Sequence, residues 1–286
     1  MKKLLSTLLV IIAGIVAANA QHTPTQHQFR CQGIDRTYHL YLPDNLPDDA
    51  PLVFVLHGYG GNALKACPEM MKVADEFGFA VCFPQGHVDT RNKPCWIVGY
   101  PFQEGVKTDD VKFLERLAKH LQKTHNLSSE NTFLTGMSNG GEMCYLLARK
   151  SRTFKALASI AGLTMTWMYD QLPANRPIPF MEVHGTNDTV SYWTGDIDNQ
   201  YGWGSYMPVP IAVNAMVIAN HCKRYSAETL PRYSDKANEV ILHRYYQGTN
   251  DAEVWFYQIN GGKHTWAMND MDTPREIWKF FAHFIK

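Results

Sequence analysis

Apolar residues follow two alternating patterns along the chain. Short, continuous apolar runs, such as residues 52–56, are typical of strands that are buried on both faces of a sheet. Other segments carry apolar residues three or four positions apart, as residues 108–125 do at Val111, Leu114, Leu117 and Leu121. Because strands and helices alternate, we predict an α/β fold with a mostly parallel central sheet and helices on both faces.

The individual elements follow from these patterns. Strands are predicted at residues 37–42, 52–56, 79–83, 131–135, 156–160, 179–183, 240–246 and 252–259. Helices are predicted at residues 68–77, 108–125, 141–150, 209–222 and 274–285, and Thr108 or Asp109 is a candidate cap for the second of them. Residues 188–208 are rich in aromatic residues and glycine, and we expect an ordered loop insertion there.

The N-terminus has the pattern of a secretory signal peptide. Lys2 and Lys3 precede an apolar run that ends in the sequence AANA at residues 17–20. We expect cleavage after Ala20, secretion to the periplasm or the medium, and one catalytic domain over residues 21–286. An uncleaved membrane anchor is the alternative, but the apolar run is short for a spanning helix. We therefore expect no membrane partner after cleavage.

Charge and cysteine content exclude some functions and leave others open. Lys plus Arg and Asp plus Glu number 27 each, and no basic block is present, which argues against nucleic-acid binding. Six cysteines in an exported chain permit disulfides in fifteen connectivities, and the sequence does not choose among them. No Cys/His spacing is typical of zinc, so we expect neither a metal nor another cofactor.

The strongest chemical motif is GMSNG at residues 136–140. It fits the G-x-S-x-G turn that carries a serine nucleophile between a strand and a helix, and the predicted elements flank it in that order. Glycines surround the nucleophile because the turn leaves no room for side chains. Ser138 is therefore the candidate nucleophile, and a plain strand–helix turn with a capping serine is the alternative.

A serine nucleophile needs a base and an acid. Among twelve histidines, His264 lies on a glycine-rich loop after the last predicted strand, and we expect it to be the base. Asp188 follows the strand at 179–183 and is the expected acid, with Asp196 and Asp198 as nearby rivals. The order Ser138, Asp188, His264 is that of the α/β-hydrolase triad.

Hydrolysis of an ester also needs donors for the tetrahedral anion. We expect the backbone N–H of Asn139, directly after the nucleophile, and that of Tyr59 in the loop after the strand at 52–56. We interpret His57 in the same loop as a structural residue and not as a second base.

Four motifs occur in sequence order: HGYGG at 57–61, GMSNGG at 136–141, HGTND at 184–188 and GGKHTW at 261–266. As a set they resemble the secreted esterases of carbohydrate esterase family one, which include feruloyl and acetylxylan esterases, and are similar to secreted polyhydroxybutyrate depolymerases. The resemblance implies an α/β-hydrolase fold with nucleophile Ser138, acid Asp188, base His264 and oxyanion donors Tyr59 and Asn139. The chain departs from the family at residues 220–222, where no second cysteine follows, and after Cys95-Trp96, where an aromatic residue is missing.

Aromatic residues on the predicted loops suggest the kind of substrate. Trp96, Trp193, Trp203 and Trp266 are candidate substrate-binding residues, together with Tyr192, Tyr201 and Tyr206, because aromatic rings stack on sugars and on phenolic acyl groups. We expect an esterase that removes feruloyl or acetyl groups from plant polysaccharide. A polyhydroxybutyrate depolymerase, a peptidase of the same fold and a non-catalytic binding protein are the alternatives. The sequence specifies neither the acyl group nor the oligomeric state.

Overall fold

The computed structural model describes residues 23–44, 46–169 and 176–285. The predicted signal peptide at residues 1–20 lies outside this part of the chain. No helix in the described ranges has the length and apolar character needed to cross a bilayer.

Twelve strands and six α-helices are present in the described residues. The strands are β1 Thr25–Cys31, β2 Ile34–Tyr41, β3 Ala50–Leu56, β4 Ala80–Pro84, β5 His87–Val88, β6 Pro94–Cys95, β7 Leu127–Met137, β8 Ala156–Ile160, β9 Phe180–Gly185, β10 Arg224–Thr229, β11 Glu239–Tyr246 and β12 Val254–Asn260. The helices are α1 Met70–Phe77, α2 Asp110–His125, α3 Asn139–Lys150, α4 Thr166–Tyr169, α5 Val209–Ala219 and α6 Thr273–Ala282.

Ten of the strands form one sheet in the order β1-β2-β4-β3-β7-β8-β9-β12-β11-β10. The six strands from β4 to β12 in this order are parallel, and antiparallel strands flank them on both sides. β5 and β6 form a separate small hairpin. The prediction of an α/β fold with a mostly parallel sheet is confirmed.

Helices cover both faces of the sheet, and β3 illustrates why the sequence requires this. Leu52, Phe54 and Leu56 pack on the face covered by α2, α3 and α5, whereas Val53 and Val55 pack on the face covered by α1 and α6. A central strand that is buried on both sides must be apolar at every position, and this gives the continuous run seen in the sequence.

The sequence pattern misses both edge strands, as well as the short elements β5, β6 and α4. Every residue of β10 is exposed, and β1 is polar at most positions, so neither strand carries an apolar run. The segment at 188–208 is ordered as expected. Within it the Asp196 carboxylate accepts hydrogen bonds from the backbone N–H groups of Gln200 and Tyr201, at 2.8 and 3.0 Å.

All six cysteines lie in the described ranges, and each is a free thiol. Five are buried, and Cys222 is partly exposed. Burial raises the pKa of Cys95 to about 12 and that of Cys222 to about 11, which keeps both thiols protonated at neutral pH. The disulfide pairing that the sequence leaves open does not occur in this structure.

We predict that Asn220→Ala destabilises the fold by about 2–4 kcal/mol. Asn220 is fully buried at the end of α5, where its side chain pairs with both backbone polar groups of Ile178 at 2.8 and 2.7 Å. Alanine leaves that N–H and C=O buried without partners. Urea unfolding measures the loss. Asn214→Ala, at an exposed position of the same helix, is the control and should change stability by less than about 0.5 kcal/mol. Equal effects of the two substitutions would contradict this account.

Candidate active site

Ser138 occupies a sharp turn between β7 and α3. Its φ of 55° and ψ of −123° lie in a region that residues with a side chain rarely adopt. The turn is this tight because neighbouring segments approach at backbone distance. A Cβ on Gly136 would lie 2.6 Å from the carbonyl carbon of Gly140, and one on Gly140 would lie 2.8 Å from the carbonyl oxygen of Leu56. The predicted nucleophile turn therefore has the expected local geometry.

Asp188 and His264 come together from two loops that are distant in sequence. The Nδ1 atom of His264 donates to Oδ2 of Asp188 at 2.7 Å, and the backbone N–H groups of Val190 and Ser191 donate to Oδ1, each at 2.8 Å. Burial by itself raises the pKa of Asp188, but the hydrogen bond and the charge of His264 outweigh it, and the pKa lies below its ordinary value. Asp188 is therefore an ionised acceptor that fixes the tautomer of His264.

Asp196 and His57 have structural partners, and the other rival, Asp198, lies at the surface. The carboxylate of Asp196 holds its own loop, and Asp198 is exposed. His57 accepts a hydrogen bond from the backbone N–H of Gly86 at Nε2, so its proton lies on Nδ1 and is donated to the carbonyl of Gly58 at 2.7 Å. Burial lowers the pKa of His57 and keeps the ring neutral. These contacts support the interpretation of His57 as a structural residue.

Trp96 ties the two expected oxyanion segments together. Its indole N–H donates to the carbonyl of His57 at 2.9 Å, which supports the loop that carries Tyr59. Its backbone N–H and C=O pair with the side-chain amide of Asn139 at 2.7 and 3.0 Å. Asn139 is the first residue of α3, where a helix leaves its backbone N–H groups without partners inside the helix. The loop and the helix start are thus held in a fixed relation.

Ser138 and His264 open on a common cavity of about 340 Å³. The cavity wall is formed by Gly58, Tyr59, Tyr100, Met137, Ser138, Glu142, Leu163, Val190, Ser191, Trp203 and His264. One side is aromatic, since Trp203 packs edge-on or tilted against Tyr59, Tyr100 and Phe102, with ring centroids 5.3–5.7 Å apart. Such a wall suits a flat or apolar group next to the nucleophile.

Of the four tryptophans predicted to bind substrate, only Trp203 lies on this wall. Trp96 is fully buried, and its ring supports the loop that carries Tyr59, so the expectation that it is an exposed pocket residue is wrong. Trp193 stacks on Phe256, and Trp266 packs against the core on the α1/α6 face.

The three tyrosines have different positions. Tyr206 is fully buried, and its hydroxyl accepts from the backbone N–H of Tyr192 at 3.3 Å, so the expectation that Tyr206 is exposed is also wrong. Tyr192 and Tyr201 stack on each other with their ring centroids 4.2 Å apart. Sequence alone does not separate aromatic residues that pack a loop from those that face a cavity.

Tyr100 and Glu142 are cavity residues that sequence reasoning missed. Glu142 lies one turn into α3, and its Oε2 accepts a hydrogen bond from the hydroxyl of Tyr100. Burial raises the pKa of Glu142 to about 8, so the group is a neutral acid at pH 7. The sequence offers one signal for Glu142, which is a carboxylate among the apolar and small residues that follow Ser138. It offers none for Tyr100, which lies on a separate loop outside the four motifs.

The sequence profile described as "Esterase PHB depolymerase" matches residues 36–215, which is well over half of the chain. The chain belongs to this esterase family. The match begins in β2 and ends in α5, so it includes the Tyr59 loop, the Ser138 turn and Asp188. The resemblance read from the four motifs is confirmed at the level of the family.

The relatives of this family member include proteins named as acetylxylan and feruloyl esterases. A bifunctional acetylxylan esterase/xylanase of Neocallimastix patriciarum is 29% identical over 89% of this chain, and the chain spans 34% of that protein. Feruloyl esterase D of Neurospora crassa is 24% identical, and the alignment covers 98% of this chain and 95% of the relative. The chain is therefore placed among carboxylic ester hydrolases.

Solved structures give the same fold for this esterase family member. An acetyl xylan esterase from Aspergillus awamori matches 90% of this chain with a TM-score of 0.59 and 14% identity. A putative dipeptidyl aminopeptidase IV from Bacteroides ovatus matches 92% of this chain with a TM-score of 0.60 and 14% identity. The α/β-hydrolase fold is confirmed, and at these identities the likeness concerns the fold alone.

We predict that Glu142→Gln makes the esterase less sensitive to alkaline unfolding. The pKa of Glu142 is higher in the folded state, about 8, than its ordinary value of 4.5. The buried proton therefore contributes fully to the free energy of unfolding below about pH 4.5, and this contribution is lost as the pH rises through 8. Between pH 5 and pH 9 the free energy of unfolding of the wild type should fall by about 2–5 kcal/mol relative to that of Glu142→Gln. Urea unfolding at each pH measures both values.

Glu130→Gln provides a matched control for this substitution, because Glu130 is exposed on β7. The Glu130→Gln variant should show the same pH dependence of the free energy of unfolding as the wild type. Parallel stability curves for the wild type and Glu142→Gln would contradict the assignment of a neutral acid at Glu142.

Proposed function

We propose that the chain is a serine ester hydrolase that removes feruloyl or acetyl groups from acylated plant polysaccharide or its oligosaccharides. The observation that carries the proposal is the Asp188–His264 hydrogen bond of 2.7 Å beside a cavity that Ser138 and His264 share. The relatives named as acetylxylan and feruloyl esterases support the substrate class.

The first half of the reaction uses the proton positions described above. The Nδ1–H of His264 donates a hydrogen bond to Asp188 and keeps its proton, so Nε2 is free to accept the hydroxyl proton of Ser138. The Ser138 oxygen attacks the ester carbonyl carbon, and the N–H groups of Tyr59 and Asn139 stabilise the resulting oxyanion. When the intermediate collapses, the C–O bond to the sugar breaks, and His264 gives the proton to the leaving sugar oxygen, which departs as a hydroxyl group.

The second half releases the acyl group. Water gives a proton to His264 and attacks the acyl-enzyme carbonyl through a second tetrahedral anion. Collapse of this anion frees the carboxylic acid and returns the proton to Ser138. Asp188 stays ionised throughout and stabilises the cationic form of His264, which agrees with its lowered pKa.

A hydroxyalkanoate polyester is a second candidate substrate. The observation that favours it is the family profile, whose description includes PHB depolymerase. The same serine chemistry cleaves either ester. Clearing of a polyhydroxybutyrate suspension by the purified protein, without release of ferulate or acetate from arabinoxylan, would favour this candidate over the first.

We predict that Ser138→Ala lowers kcat for p-nitrophenyl acetate by about 10⁴-fold or more, because the substitution removes the nucleophile. Ser129→Ala changes the same residue type at an exposed position of β7 and should leave kcat within about twofold of the wild type. Release of p-nitrophenol measures both rates. A Ser138→Ala protein with wild-type activity would rule out the proposed mechanism.

We predict that Trp203→Ala raises KM for methyl ferulate by about tenfold and changes KM for p-nitrophenyl acetate much less. The aromatic wall contacts a large planar acyl group and leaves an acetyl group largely untouched. Tyr233→Ala, at an exposed aromatic residue that is absent from the cavity wall, should change neither constant. Equal increases for both esters would show that the wall does not select the acyl group.

A further inference from the structure

A second histidine–carboxylate pair lies directly behind Asp188. Glu182 and His184 are on β9, and neither side chain is exposed. Nδ1 of His184 lies 2.9 Å from Oε1 of Glu182, and its Nε2 lies 2.9 Å from the carbonyl oxygen of Ser191. The same Nε2 lies 3.6 Å from Oδ2 of Asp188, the oxygen that accepts from His264.

The partners of His184 determine where its protons lie. A carbonyl oxygen only accepts, so Nε2 carries a proton and donates it to Ser191. Nδ1 faces the carboxylate of Glu182, whose other oxygen accepts from the hydroxyl of Tyr145 at 3.0 Å. Burial by itself lowers the pKa of His184, but the hydrogen bond and charge of Glu182 outweigh it and raise the pKa above its ordinary value. Burial also raises the pKa of Glu182 above its ordinary value, so one proton lies in the 2.9 Å contact between Nδ1 and Oε1. We assign this proton to His184, because the Asp188 carboxylate lies 3.6 Å from the same ring.

The titratable groups around this pair are few. Tyr145 and Cys144 of α3 face Glu182, while Asp188 and then His264 lie on the other side of His184. Burial raises the pKa values of Tyr145 and Cys144 well above their ordinary values, so both remain neutral. The His184 ring therefore faces two carboxylates, Glu182 at 2.9 Å and Asp188 at 3.6 Å.

His184 also holds the loop that cradles Asp188. The Ser191 carbonyl that accepts from His184 belongs to the same residue whose N–H donates to Oδ1 of Asp188. Through this residue, the position of the buried imidazole fixes the position of the carboxylate. The connected groups run from Tyr145 through Glu182, His184 and Asp188 to His264.

We propose that Glu182 and His184 form a positioning pair that holds the Asp188 carboxylate in place, partly offsets its charge, and extends ester hydrolysis to lower pH. The imidazolium favours ionised Asp188 and weakens the field that Asp188 exerts on His264. Both effects delay the protonation that stops the reaction as the pH falls. The inference rests on the proposed serine mechanism.

The pH dependence of kcat/KM for p-nitrophenyl acetate tests the charge. Glu182→Gln keeps the side-chain shape and presents an amide N–H that can donate to the unprotonated Nδ1 of His184, but it removes the carboxylate, so His184 becomes neutral. The acid limb of the profile should move to higher pH by about one unit, and His184→Gln should move it in the same direction. An acid limb that coincides with that of the wild type in Glu182→Gln would overturn the inference.

Glu253→Gln is the matched control. Glu253 accepts from Arg244 at 2.8 Å and from the indole of Trp255 at 2.6 Å, and it is absent from the wall of the cavity. Its replacement should lower stability and leave the acid limb in place. An equal shift in this control would assign the effect to general loss of packing and would overturn the inference.

A second measurement does not require activity. In Ser138→Ala protein, ¹⁵N-edited NMR should detect two ring N–H protons on His184 at pH 8. A single ring proton would overturn the inference whether or not the Glu182 and His184 variants fold. By contrast, a wild type that hydrolyses no ester would overturn the proposed function, while the NMR result would still report the charge of His184.

Discussion

The close approach of β7, α3 and β3 is the constraint on which the site depends. A Cβ at Gly140 would meet the backbone of β3, and one at Gly136 would meet the backbone of Gly140. The chain therefore turns within a few residues and holds Ser138 at a positive φ. The same turn starts α3, so Ser138 stands at a helix N-terminus, where unpaired N–H groups and the helix dipole favour negative charge. These two contacts thus set both the position of Ser138 at the turn and its place beside the first N–H groups of α3.

Buried polar contacts connect this turn to the loops around it. Trp96 bridges His57 and Asn139, so the two segments that carry the expected oxyanion donors cannot shift independently. On the other side, the Asp188 loop is held by its own N–H groups and by the ring of His184. Preorganised dipoles of this kind stabilise a developing charge without having to reorient during the reaction.

The sequence predicts the central part of the fold well because burial on both faces leaves a continuous apolar run, as in β3 and β4. It misses β1 and β10 because an edge strand keeps its order through backbone pairing and needs no apolar side chains. Ser138, Asp188 and His264 could be proposed from the sequence because each follows a strand within a recognisable motif. Tyr100 and Glu142 are missed, and Trp96 is assigned to the pocket, because the cavity wall is assembled from loops whose side-chain directions depend on tertiary packing.

The aromatic wall is only partly tied to the predicted triad. Ser138, Asp188 and His264 follow strands of the parallel sheet. Tyr59 and Tyr100 are held to the same region, Tyr59 by the loop that Trp96 supports and Tyr100 by its hydrogen bond to Glu142 of α3. Trp203 lies on the connecting segment between β9 and α5 and contacts the other wall residues through its ring. Under the proposed function, a change in this one segment would alter which acyl group fits the recess, while the strand ends that carry the predicted triad keep their positions.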